Sequence, residues 1–268
     1  MKLRSLCALT LVTVLGTSLV GSVTASAAAD TLGSAGKVKV EEGTIKPTDP
    51  TIDPEDKDKV LPDQPLINVN PDAGSLVVSR TTDLDFGSIA SSVSDVVQPA
   101  IPVPLKDGEG KDVTRGALVQ FGDIRSGGLY GYTVTAELTQ QFTYGTNVLT
   151  GSEISYSNGI LVTPSANTNT VPGTFQTGFK LAKDSATGNG AQDIVTADKT
   201  LKEGKGQYTI EFGQSDQYDP AQGTGGTKDT AKDAIKLTVP ASTASSMAET
   251  SGTDTYNAEI TWKIVAAK

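Results

Sequence analysis

The sequence predicts an all-β protein, an antiparallel β-sandwich or barrel with long Gly/Thr-rich loops. Three observations point to this class. Beyond Leu66, short runs of alternating apolar and polar residues recur, each bounded by Gly, Asn, Asp or Pro. About eight to ten such runs fall within roughly 200 residues, the spacing of a sandwich or barrel. No segment sustains the 3.6-residue apolar period of a helix; Ala231 to Ile235 allows at most one helical turn.

The chain opens differently. Lys2 and Arg4 precede an apolar run from Leu6 to Val20. At about 15 residues it suits a secretory signal and is short for a membrane span. Ala25-Ser26-Ala27 and Ala27-Ala28-Ala29 are A-x-A cleavage sites, so residues 1–29 read as signal peptide, with a mature start at Ala28 or Asp30. The only cysteine, Cys7, lies inside this run, so the mature protein is expected to hold no disulfide. Residues 30–66 are small, charged and rich in Pro and Asp, with a centre at Lys46-Pro-Thr-Asp-Pro-Thr-Ile-Asp-Pro-Glu-Asp. Proline every three or four residues opposes helix and central strand alike, and few apolar residues offset the entropy of ordering. This stretch therefore reads as a disordered, extended linker. Residues 67–268 form the β domain.

Within that domain the candidate strands are 75–79, 117–121, 130–138, 154–156 with 160–162, 175–181, 207–212, 234–239 and 256–265. Ser157-Asn158-Gly159 reads as a hairpin turn between two of them, because Asn-Gly tolerates positive φ. Gly/Thr/Asp-rich loops fill 183–189 and 214–233.

The last strand alternates clearly. Tyr256, Ala258, Ile260, Trp262, Ile264 and Ala266 share one face, and Asn257, Glu259, Thr261 and Lys263 the other. Tyr130, Tyr132, Val134, Ala136 and Leu138 repeat the pattern earlier. Trp262 is the sole tryptophan. Periodicity favours a packed Trp262 over a displayed one.

Composition excludes several function classes. There are 31 acids and 22 bases; without Lys2 and Arg4, 20 bases remain and the net charge is near −11. That disfavours nucleic acid and anionic membrane as partners. No other run is long enough for membrane insertion. The absence of histidine removes Ser-His-Asp and Cys-His catalysis and His-ligated zinc. Asp83 and Asp85 are the nearest carboxylate pair, and a turn or edge role suits them better than glycoside chemistry. No enzyme activity, cofactor or metal is expected.

The chain resembles the WxL domain of Gram-positive surface proteins. Tyr256-Asn-Ala-Glu-Ile-Thr261-Trp262-Lys-Ile264 is similar to the family's C-terminal Tyr and Thr-Trp-x-Leu, with Ile264 in place of Leu. Asp123-Ile-Arg125 followed by Gly131-Tyr132-Thr133-Val134 resembles the earlier motif, with Tyr132 for Trp and Val134 for Leu. Leu84-Asp-Phe-Gly87 and the Asp-Pro-rich segment match the domain's approach. The resemblance implies a secreted surface protein held non-covalently on the Gram-positive cell wall, with peptidoglycan as ligand. Other WxL proteins and membrane-anchored companions are its implied partners. Trp262, Ile264, Tyr256, Thr261, Tyr132 and Val134 are then the candidate binding residues. Alternation places Thr261 and Thr133 opposite Trp262 and Tyr132, so one strand cannot present both to one ligand unless the sheet edge or a bulge re-aims a side chain. The alternative is a structural subunit or adhesin in which the Trp-x-Ile strand is core, packing Trp262 against Tyr132, and other surfaces bind companion proteins or host ligands.

Overall fold

A computed structural model describes residues 34–183, 188–222 and 224–268. The expected signal peptide and Cys7 lie outside the described residues, as does part of the 183–189 loop. Residues 34–40 belong to a separate unit and carry no helix or strand. The second unit, Glu41–Lys268, holds eighteen strands among its described residues.

In chain order these are β1 (Thr51–Ile52), β2 (Val60–Leu61), β3 (Ile67–Val69), β4 (Leu76–Thr82), β5 (Val96–Pro99), β6 (Val103–Lys106), β7 (Asp112–Arg115), β8 (Ala117–Asp123) and β9 (Tyr132–Tyr144). Then follow β10 (Asn147–Val148), β11 (Glu153–Tyr156), β12 (Gly159–Val162), β13 (Thr174–Phe175), β14 (Phe179–Ala182), β15 (Gln192–Ala197), β16 (Gly206–Phe212), β17 (Ile235–Val239) and β18 (Asn257–Ala266). Ala231–Ala234 is a single helical turn, as the sequence suggests.

The strands pair antiparallel into open sheets, an all-β sandwich with no closed barrel. One sheet runs β12-β16-β8-β4-β3, a second β14-β11-β17-β5, and a third β10-β9-β15-β13 with β18 also paired to β9. One core collects the inward faces of all three. Val119 and Phe121 come from β8, Tyr208, Ile210 and Phe212 from β16, Ile154 and Tyr156 from β11, and Val134, Ala136 and Leu138 from β9.

Two sequence expectations are corrected here. Asn158 does adopt positive φ (53°), but the turn does not close a hairpin. β11 pairs with β14 and β17, whereas β12 pairs with β16 in another sheet. Gly159 is needed at this corner because a Cβ there would meet the Phe212 and Phe175 rings at 2.9 and 3.0 Å. The turn therefore transfers the chain between sheets. The expected 175–181 strand likewise divides into β13 and β14, in different sheets.

The larger correction concerns the linker. Residues 41–66 are not a loose tether: Ile45, Ile52 and Leu61 are buried, and β1 and β2 form a small hairpin. This strap lies against the side of β8 and β16 that faces away from the main core. Ile52 N–H donates to Gln120 Oε1 at 2.6 Å, Gln120 Nε2 to Pro50 O at 3.2 Å, and Thr209 Oγ1 to Ile52 O at 3.4 Å. The buried Arg80 guanidinium donates to Pro47 O at 2.7 Å and also to Asp49 O. Proline removes the strap's own ladder donors. Its carbonyls are satisfied instead by side chains of the sheet, as buried polar backbone requires. β8 thus has strap on one face and core on the other, and every residue from Leu118 to Asp123 is buried.

Candidate functional site: a groove along the last strand

Strand β18 lies along β9, with Trp262 opposite Ala136, Ile264 opposite Val134 and Ala266 opposite Tyr132. The small Ala136 leaves room for the indole. Ala258, Ile260, Trp262 and Ile264 are half-buried against the core, while Asn257, Glu259, Lys263 and Val265 are exposed. One side of the indole meets three rings: Phe212 near-parallel at 6.4 Å, with Phe179 and Tyr156 edge-on at 6.2 and 6.5 Å. Trp262 is thus anchored in an aromatic cluster yet not enclosed by it.

Its remaining surface lines an open groove of about 470 Å³. Ile260, Trp262, Lys263 and Ile264 form one wall. The opposite wall comes from β3, β4 and the turn after β3, including Asn68, Asn70, Leu76 and Thr81. A second cavity of about 420 Å³ shares Thr81, Ile260 and Trp262 with the first and adds Asp83, Leu84, Tyr256 and Asn257. An indole and aliphatic side chains therefore face amides and hydroxyls across one cleft. The polar groups come from the neighbouring sheet, a pairing that the alternation of β18 alone cannot reveal.

The six predicted site residues divide. Trp262 and Ile264 line the groove, and Tyr256 lines the second cavity. The Tyr256 hydroxyl donates to Ala248 O at 3.1 Å and accepts from Ala248 N–H at 3.0 Å, pinning the loop before β18. Thr261 points to the other face, where its hydroxyl lies 3.0 Å from that of Thr139. Tyr132 and Val134 are completely buried, so neither meets a ligand at the surface. Nor does Tyr132 pack on Trp262: its ring meets Phe121 edge-on at 5.8 Å, and Phe121 stacks on Tyr208 at 5.7 Å. The Tyr132 hydroxyl is buried without a partner, and burial raises its pKa.

The residues before Tyr132 explain their motif structurally. Arg125 Nε and Nη2 donate to the two oxygens of buried Asp123 at 2.9 and 2.7 Å, and Nη2 also reaches Gly131 O at 3.0 Å. Lys205 Nζ donates to Asp123 Oδ1 at 3.0 Å and to Arg125 O at 2.7 Å. Burial pushes the Asp123 carboxyl up, but the bonds from Arg125 and Lys205 prevail and hold it below its ordinary range. Gly131 needs its φ of +79°, and a Cβ would lie 2.8 Å from Lys199 N. The Gly131 carbonyl also accepts from Ala267 N–H at 3.0 Å. One carbonyl thus ties the entry of β9 to the exit of β18, joining the two motifs in space.

Leu84 and Phe86 pack on the core, Phe86 edge-on to Phe142 at 5.9 Å, and Gly87 turns the chain at φ +61°. Asp83 accepts from Asn68 Nδ2 at 2.7 Å, and Asp85 accepts from Gly87 N–H at 2.7 Å. Asp83 thus ties the end of β4 to β3, and Asp85 holds a local turn. Asn68, Asn70 and Thr81 are the groove residues that sequence reasoning missed. Asn68 and Thr81 lie in β3 and β4 and Asn70 follows β3, and nothing local marks them because their partners on β18 are far along the chain.

No helix among the described residues is long and apolar enough to cross a membrane. No curated protein and no solved structure matches the chain. A family model described as "WxL domain surface cell wall-binding" matches residues 27–267. The anchored Trp-Lys-Ile strand, the Asp-x-Arg…Gly clasp beside it and this near-complete match agree: the chain belongs to the WxL-domain family of surface cell wall-binding proteins.

Proposed function

We propose that this is a secreted, non-enzymatic surface protein held non-covalently on the Gram-positive cell wall by peptidoglycan, which it contacts through the groove along β18. The observation that carries the reading is the half-buried indole of Trp262 in an open cleft opposite Asn68, Asn70 and Thr81. Sugars offer an apolar ring face for an aromatic side chain and hydroxyl or acetamido groups for amides and hydroxyls. With a mature charge near −11, contact by shape and hydrogen bonding is favoured over charge attraction.

The test is sedimentation of the chain from Asp30 onward with purified peptidoglycan stripped of teichoic acid. Trp262→Phe and Asn68→Ala are compared, with circular dichroism on each. Folded variants that stay in the supernatant support the groove. Sedimentation of every folded variant as well as wild type moves the contact elsewhere, and a wild type that does not sediment sinks peptidoglycan as ligand.

A second reading rests on a different observation. Among the described residues β18 pairs only with β9, so its other edge offers backbone groups outside any ladder there, and Val265 beside it is 44% exposed. Such an edge can accept a strand from a companion surface protein. Wall binding and companion binding are compatible on one molecule.

A further inference from the structure

Where the strap meets the sheet, charge is buried in an uneven ratio. Asp53 and Glu55 come from the strap, Arg115 from β7, Glu211 from β16, and Ser215 from the loop after it; none is more than 7% exposed. Arg115 Nε and Nη2 donate to the two oxygens of Asp53 at 2.8 and 2.7 Å, and Nη1 lies 3.2 Å from Glu55 Oε2. Glu55 also accepts from Ser215 N–H at 2.5 Å and Ser215 Oγ at 2.6 Å. Glu211 accepts from Gly116 N–H at 2.9 Å through Oε1, while its Oε2 has no partner.

Three buried carboxyls therefore lie near one guanidinium, which pairs directly with Asp53 and Glu55 and not with Glu211. Ionising all three leaves two uncompensated negative charges, which burial strongly opposes. The carboxyl with an orphaned oxygen and the least exposure is the one that keeps its proton, and that is Glu211. Burial and the neighbouring Glu55 both push the Glu211 carboxyl well above its ordinary range. Burial also raises Glu55, against the pull of Arg115.

We propose that Asp53, Glu55, Arg115 and Glu211 form a pH-operated clasp that holds residues 45–61 on the sheet at mildly acidic pH and loosens them as pH rises. The sign follows from proton counting. A carboxyl that ionises less readily in the docked state makes docking bind protons, so docking is fullest at low pH and weakens once Glu211 must ionise. The sheet beneath residues 51–55 carries the polar Ser79, Gln120, Thr209 and Glu211, which can be hydrated, whereas Leu61 packs among Ile67, Val103, Leu105, Val113 and Leu118, so the docked strap stays the major form and pH changes the population of its opening.

Thr51 offers a reporter. It is wholly buried in the strap and its hydroxyl has no partner, so Thr51→Cys is a mild change. In the full chain with Cys7→Ser, the rate of thiol labelling is followed from pH 6 to pH 9 and divided by the rate of a free thiol reference. The corrected rate is expected to rise about tenfold or more, the equivalent of about 1.4 kcal/mol in the docking equilibrium. In a Glu211→Gln background, which keeps an uncharged group of the same shape, the profile should be flat. Should that variant fail to fold by circular dichroism, Glu55→Gln removes the second raised carboxyl and one of the two influences that push Glu211 up, so the rise should be smaller than with Glu55 intact, and an undiminished rise overturns the proposal. A flat profile with Glu211 intact, or an equal rise in the folded Gln variant, overturns the proposal.

Discussion

Trp262 faces two ways, and its substitutions should separate the two roles. Trp262→Ala removes a partner from three rings and should lower stability by about 2–4 kcal/mol in urea denaturation, somewhat under the range for a fully buried aromatic. Trp262→Phe keeps the apolar packing and should lose under about 1.5 kcal/mol, leaving the groove contact as the quantity tested. Tyr132 presents the contrasting case. Its buried hydroxyl has no partner, so Tyr132→Phe should be neutral or stabilising by up to about 1 kcal/mol, whereas Tyr132→Ala should lose about 3–5 kcal/mol. Loss of more than about 1 kcal/mol on Tyr132→Phe would show that the hydroxyl has a partner in solution. At this scale the sequence was half legible. Alternation put Trp262, Ile264 and Tyr256 on one face and Thr261 on the other, as the structure has them. It could not tell that Tyr132 meets Phe121 instead of Trp262, because ring contacts depend on which strands are neighbours.

Strand β9 shows how one element depends on its entry. The Asp123–Arg125–Gly131 clasp sets where β9 begins, and Gly131 tolerates no side chain. Gly131→Ala should lose more than about 1 kcal/mol through positive φ and contact with Lys199, read as a lower denaturation midpoint. Asp123 gives a pH prediction of opposite sign to the strap clasp. Its folded carboxyl lies below the ordinary range, so its contribution is present above about pH 4 and lost as pH falls through the folded pKa. Asp123→Asn should lack that acid limb in a pH series of urea melts and be less stable at about pH 7, since Arg125 and Lys205 lose their shared carboxylate. An unchanged acid limb would assign it to other groups. The long strands β4, β8, β9, β16 and β18 were visible as alternating runs. β15 was not singled out, and the Asn158 turn was recognised while its consequence was not. Local sequence specifies a positive φ but not which sheet receives the next strand.

For the whole molecule, the strap matters most. Ile45, Ile52 and Leu61 each bury a side chain worth about 1.5–3 kcal/mol. A chain beginning at Ile67 should therefore be less stable than one beginning at Glu41 by at least about 4 kcal/mol, measured by chemical denaturation. Equal stability of the two would return the segment to a tether. Composition concealed this because the strap's partners are side chains such as Arg80, Gln120 and Arg115, far from it in sequence. Proline and acid density signal disorder only when no such partners exist. The pairing of β9 with β18 has a kinetic consequence. Thr139 and Glu259, in contact across that ladder, are 120 residues apart, and closing so long a loop places this protein among slow, non-local folders, with refolding expected on a millisecond-to-second scale or slower. The groove wall forms only when that ladder closes, so partly folded chains lack it, and capture by the wall would itself select molecules that have finished folding.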